Sequence, residues 1–320
     1  MSQVNRRDFI KKTALASAAI GMALKSQASD GFAAEPLFKI SLAEWSINKP
    51  LFAGTTDHLD FPLLARRHGI DAVEYVNQFF MDKATDKAYL REMKLRADNE
   101  GVRSVLIMCD REGQLGHAEE KERVQAVENH KKWVEAAKYL GCHAIRVNGY
   151  STVEWSKKQS DFDESQKLVA DGLRRMCEFA DGFDIDVLIE NHGGFSSNGK
   201  WLVGVMKKSG HKRAGTLPDF GNFRLNGYGK GAAESYDAYR GVQELMPYAK
   251  GVSVKTTAWD DKGNSSPLDY DRMLSIVLEA GFRGYCGIEH GDPGREWESI
   301  TEVRQLLIES RDRLATKFSH

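Results

Sequence analysis

The chain has 320 residues, 41% of them hydrophobic and 28% charged, the proportions of a soluble globular protein with one sizeable core. Its formal net charge of -1 supplies no field that would gather a polyanion, so the composition argues against a nucleic-acid partner and for a small or neutral one.

In chain order, residues 1–34 read as an export signal. Arg6-Arg7-Asp8-Phe9-Ile10-Lys11-Lys12 precedes a small-residue apolar stretch from Thr13 to Leu24, then a polar, alanine-containing run that ends near Ala34. That stretch is about a dozen residues, short of the roughly 20 that span a bilayer, so no membrane span is expected. Arg6-Arg7 with Phe9 and Lys11 resembles a twin-arginine signal, which implies export of a folded protein to the periplasm.

From residue 35 to 320 a single domain is expected. Short apolar runs rich in β-branched residues alternate with amphipathic stretches. The strand candidates are Phe38 to Leu42, Ala72 to Val76, Ser104 to Met108, Ala144 to Val147, Asp186 to Ile189, Ala214 to Leu217, Val252 to Val254 and Gly284 to Ile288. Helices are predicted over Ala118 to Leu140 and Glu164 to Ala180, with Gly141 and Gly182 at their C-caps, and over Asp269 to Ala280 and Ser299 to Leu314. Such a βα rhythm over this length predicts an α/β protein, a (β/α)8 TIM barrel, whose active site belongs at the C-terminal ends of the strands. No GxGxxG follows the first strand, so a Rossmann sheet has little support. The four cysteines, Cys109, Cys142, Cys177 and Cys286, show no CxxC pairing and are expected to pack in the core.

Polar residues end these runs with regularity: Glu44, Glu74, Asp110, Arg146, Asn148, Glu190, His192, Asp219, Asn222, Lys255, Glu289 and His290. Glu190, Asp219 and Glu289 stand out, because carboxylates from separate strands can surround a hard divalent cation and leave positions open. His290 directly follows Glu289 and should point elsewhere. Trp45, Phe79, Phe80, Tyr150, Trp155 and Trp259 fall on strand-end loops, where they could stack on a pyranose or simply pack.

The segments Val-Leu-Ile-Glu190-Asn-His-Gly-Gly, Leu-Pro-Asp219-Phe-Gly-Asn-Phe and Gly-Ile-Glu289-His-Gly-Asp resemble the fifth, sixth and eighth strand ends of the xylose isomerase-like TIM barrels. That superfamily contains sugar isomerases and epimerases and also endonuclease IV. The resemblance implies one divalent metal ion, manganese, magnesium, zinc or cobalt, held by Glu190, Asp219 and Glu289. Strand seven of the relatives ends in His-x-Lys, whereas this chain reads Val252-Ser253-Val254-Lys255, which leaves the fourth ligand open to water or His192. It further implies proton transfer by Glu190 and Glu289, with Lys255 or His192 assisting at oxygen, and substrate contacts from Glu74, Arg146, Asn148, Asn222 and Trp45.

The expected activity is isomerisation or epimerisation of a non-phosphorylated sugar or keto-sugar through an enediolate, since phosphorylated sugars are largely intracellular. The alternatives are β-elimination on a 3-keto-glycoside by a lyase or dehydratase, a non-catalytic sugar-binding barrel, and an endonuclease IV-like nuclease. The last is disfavoured by Asn222, which stands where that family's motif carries histidine. Association into a homo-oligomer stays open.

Overall fold

A computed structural model describes residues 35–226 and 234–318. The proposed export signal lies outside the described residues. One unit runs from Leu37 to His320, and its backbone alternates strand and helix throughout.

Eight parallel strands form the sheet: β1 (Lys39–Ala43), β2 (Ala72–Val76), β3 (Arg103–Met108), β4 (Ala144–Asn148), β5 (Asp186–Glu190), β6 (Ala214–Leu217), β7 (Val252–Val254) and β8 (Tyr285–Ile288). Each is followed by a helix: α1 (Phe61–Arg67), α2 (Lys87–Asn99), α3 (Glu120–Leu140), α4 (Gln159–Asp181), α5 (Gly199–Ser209), α6 (Ala238–Leu245), α7 (Tyr270–Glu279) and α8 (Glu296–Phe318). The strands pair in the order β6-β5-β4-β3-β2-β1-β8-β7. Closure comes just past β6, where Ser253 N–H donates to Pro218 O at 2.9 Å and Phe220 N–H to Ser253 O at 3.0 Å. The architecture is the (β/α)8 barrel that the alternation predicts.

Strand alternation sorts the side chains into two layers. Val187 and Ile189 of β5, or Val252 and Val254 of β7, face the helices and join the main apolar core. Leu106, Ala144, Leu188 and Leu217 form a smaller inner cluster that fills the barrel. Two residues beyond Leu188, on the same face, the chain places Glu190. The rim is therefore a polar layer above this apolar cluster.

Helix ends follow local chemistry. Asp86, Asn198, Asp237 and Asp269 each accept a first-turn backbone N–H as N-caps. Gly141 closes α3 with φ of +83°, as expected of a C-cap glycine. Gly182 is likewise the C-cap of α4, but it stays right-handed at φ -64°, and the left-handed turn falls on Asp184 at φ +59°. Between β7 and α7 an antiparallel hairpin, Thr257–Trp259 with Ser265–Pro267, adds to the eight βα units. Asp260 shapes its turn by accepting from Lys262 N–H and Asn264 N–H. All four cysteines are free and buried, as packing residues.

Candidate metal and catalytic centre

Glu190 ends β5, Asp219 follows β6 by two residues, and Glu289 follows β8 directly. Together they form a buried group in which one ligand oxygen from each lies within 4.8 Å of the others. The three acids singled out in the sequence therefore do meet.

Asp219 is fixed from its own loop. Its Oδ1 accepts from Gly221 N–H at 2.7 Å and Asn222 N–H at 2.8 Å. Asn191 stitches that loop to β5, donating from Nδ2 to Asp219 O and accepting from Asp219 N–H at Oδ1. Ser253 Oγ bridges the cluster, 2.8 Å from Asp219 Oδ2 and 3.2 Å from Glu289 Oε2. Two residues on and on the same face, Lys255 Nζ donates to Glu289 Oε1 and lies 3.3 Å from Asp219 Oδ2.

On the opposite side Arg146 links Glu190 to Asp110, with Nε 2.9 Å from Glu190 Oε2 and Nη1 2.8 Å from Asp110 Oδ1. The first contact is an ion pair without hydrogen-bond geometry, so both Arg146 Nε and Glu190 Oε2 are buried without a hydrogen bond. Asn222 Nδ2 donates to Glu190 Oε1 at 3.0 Å, and Asn148 Nδ2 to Asp110 Oδ1 at 2.8 Å. Among the described residues, the carboxylates of Asp110, Glu190, Asp219 and Glu289 are joined in this network to two cations, Arg146 and Lys255.

That imbalance shows in the titration of the acids. Burial raises Glu190 and Asp219 above the usual carboxylate range, and Arg146 and Lys255 only partly offset it. Burial acts on Glu289 as well, but Lys255 and then Arg146 hold it below its ordinary value. Burial and then Arg146 lower His192, so its imidazole is neutral.

A divalent cation fits this donor set. Three hard oxygen donors converge, one buried oxygen of Glu190 lacks a hydrogen bond, and the linked carboxylates outnumber the cations by two.

Other predicted residues have different settings. Asn222 and Arg146 contact Glu190, which gives them a positioning role in the structure. Glu74 sits in the barrel interior, 1% exposed, accepting from Ser41 Oγ at 2.6 Å. Its carboxylate covers Gly287, where any Cβ would collide with it. Burial raises Glu74 to about 8 despite the Ser41 hydrogen bond. Trp45 belongs to a rim cluster with Phe52 and Phe79, at ring separations of 5.9 and 6.2 Å.

His192 Nδ1 lies 2.6 Å from the Tyr150 hydroxyl. His290 turns to Asp292 at 3.4 Å, away from the three acids as its position beside Glu289 implied. Glu44 leaves the site altogether: its Oε1 is 2.5 Å from His58 Nδ1, and its Oε2 accepts from Val76 N–H. Sequence reasoning missed Asn191, the bridging role of Ser253 and the Tyr150–His192 contact. The first two carried a signal, since Asn191 directly follows Glu190 at the end of β5 and Ser253 stands two residues before Lys255, where the relatives carry histidine.

The xylose isomerase-like TIM barrel family model matches residues 62–311. None of the curated proteins matches. Among solved structures, a xylose isomerase domain protein from Planctomyces limnophilus is 16% identical, with a TM-score of 0.65 over 88% of this chain and 99% of that one. IOLI protein with a bound zinc atom is 14% identical, with a TM-score of 0.66 over the same shares. The 3-keto-D-glucoside 4-epimerase YcjR from E. coli is 14% identical, with a TM-score of 0.60 over 85% of this chain and 99% of that one. With eight strands in the predicted order and a family match across most of its length, the chain belongs to the xylose isomerase-like TIM barrel family.

Proposed function

We propose that the chain is a metal-dependent sugar isomerase or epimerase acting on a non-phosphorylated sugar or keto-sugar. The observation that carries this reading is the convergence of Glu190, Asp219 and Glu289 from separate strands, with ligand oxygens within 4.8 Å of one another. Barrels of similar fold include a zinc-bound structure and a keto-glucoside epimerase, which supports metal and sugar chemistry at this rim.

A divalent cation held by the three acids, when bound, would polarise a sugar carbonyl and its neighbouring hydroxyl. The chain's own part is proton transfer. Glu289, kept ionised beside Lys255, takes the proton from the carbon that bears this hydroxyl, next to the carbonyl, and Glu190 returns one from the other side of the sugar. Lys255 donates towards the oxygen on which charge develops. Return to the opposite face is epimerisation; return to the next carbon is isomerisation.

One observation favours a second reading, β-elimination from a 3-keto-glycoside. The hydrogen-bonded Tyr150–His192 pair supplies a proton donor for a departing oxygen on the β4–β5 side of the rim. The mature protein, loaded with magnesium and incubated with ketoses and 3-keto-glucosides in deuterated buffer, distinguishes the two by NMR. Deuterium at the carbon next to the carbonyl with the glycoside intact is the expected result. Release of the aglycone selects elimination, and turnover without any solvent exchange overturns the proton-transfer assignment in favour of a hydride shift.

The export reading joins this proposal, since a periplasmic enzyme meets free sugars and glycosides. Replacing Arg6 and Arg7 with lysine tests it by fractionation: precursor retained in the cytoplasm supports twin-arginine export, and unchanged delivery overturns it.

A further inference from the structure

Beside the acidic centre, the loops that follow β3 and β4 enclose a cleft of about 300 Å³. That volume is at the lower end for small-molecule sites, roughly 300–1,000 Å³. Cys109, Glu112, Gln114, His130, Asn148 and Tyr150 line it.

The hydrogen-bonding state of these residues selects the ligand. Gln114 Oε1 and Asn148 Oδ1 are buried acceptors with no hydrogen bond, while Asn148 Nδ2 donates to Asp110. His130 Nδ1 lies 2.7 Å from Ala126 O, and burial lowers the ring's pKa, so the imidazole is neutral and its second nitrogen is an acceptor. Both oxygens of Glu112 are taken, Oε1 by Trp133 Nε1 at 2.6 Å and Oε2 by Lys132 at 3.1 Å. Burial pushes the Cys109 thiol up. The cleft thus offers neutral acceptors without partners, and buried acceptors of that kind are matched by hydroxyl donors. Arg111, which also lines the cleft, is held at φ +63°, a strained value for a non-glycine residue of the sort that clusters at ligand sites.

The cleft is continuous with the centre through two shared residues. Asn148 donates to Asp110, the partner of Arg146, and the Tyr150 hydroxyl contacts His192. We propose that this cleft is a second sugar subsite, so that the substrate class is a glycoside with a second pyranose ring whose hydroxyls donate to Gln114 and Asn148. This rests on the sugar reading of the central site.

Titration of the magnesium-loaded protein with glucose and with cellobiose, maltose and trehalose, followed by NMR, tests it. At least one disaccharide is expected to bind more tightly than glucose. Gln114→Leu, which keeps bulk and removes the acceptor, should erase roughly three- to tenfold of that advantage, the value of one neutral hydrogen bond, and leave glucose unchanged. Gln114→Glu keeps an acceptor oxygen and should retain it. A disaccharide advantage that survives Gln114→Leu, or a loss shared equally by glucose, overturns the subsite and leaves the sugar reading standing. If neither glucose nor any disaccharide binds while magnesium still does, the sugar reading falls and the subsite with it.

Discussion

Two acidic centres lie among the strand ends of this barrel, and both are buried. On the β1–β2 side, Glu44 meets one histidine and one backbone N–H, and the His58 ring stacks on Phe80 at 4.6 Å. On the β5–β8 side, Glu190, Asp219 and Glu289 share two cations with Asp110, and one of their oxygens lacks a hydrogen bond. In the first centre each carboxylate oxygen of Glu44 has a partner, and the atom left buried without a hydrogen bond is His58 Nε2, against an aromatic wall. The second concentrates like charge where a compact fold would avoid it, which is stable only if a ligand or bound protons supply the balance. Position at a strand end does not distinguish them; unbalanced charge does.

The largest expected effect comes from disrupting the first centre. His58→Leu leaves Glu44 buried without its partner and should cost about 3–5 kcal/mol in urea unfolding, while magnesium affinity stays unchanged. Asp219→Asn should do the reverse, abolishing magnesium binding by calorimetry and costing the metal-free fold less than His58→Leu. Equal stability losses with metal binding intact in both would erase the contrast.

A smaller effect concerns Glu74, beneath the second centre. Its folded value of about 8 lies above the ordinary 4.5, so the folded state holds this proton more tightly than the unfolded chain. Its contribution to stability is full below about 4.5 and is lost as pH rises through about 8. Metal-free stability should fall across that window, and Glu74→Gln should flatten the fall. A variant profile parallel to the wild type would place the titration elsewhere.

The smallest effect in free energy falls on turnover. Glu289→Gln keeps the shape of the centre and should retain the fold while losing about 100-fold in turnover, about 2.7 kcal/mol of transition-state stabilisation. Nearly full turnover in that variant would move proton transfer to Glu190 or His192.

The local sequence determined the eight strands, because β-branched runs of three to six residues alternating with amphipathic helices have few ways to bury their faces. It also determined Glu190, Asp219 and Glu289 as candidates, since each lies at the end of an apolar strand or within two residues of it, and a barrel gathers such ends at one rim. Which strand-end acids act together was decided only in three dimensions. Glu44 and Glu289 look alike along the chain, but His58, 14 residues on, hydrogen-bonds the first, and Lys255, 34 residues back, orders the second. Glu74 resembles a rim residue until β8 is seen to supply a glycine beneath its carboxylate. Ser253 reads as a lost ligand until closure of the barrel places its hydroxyl between Asp219 and Glu289. Each of these outcomes depends on contacts across strands that are remote in sequence. Secondary structure follows from spacing within a segment, whereas the balance of buried charge depends on which segments the closed sheet makes neighbours.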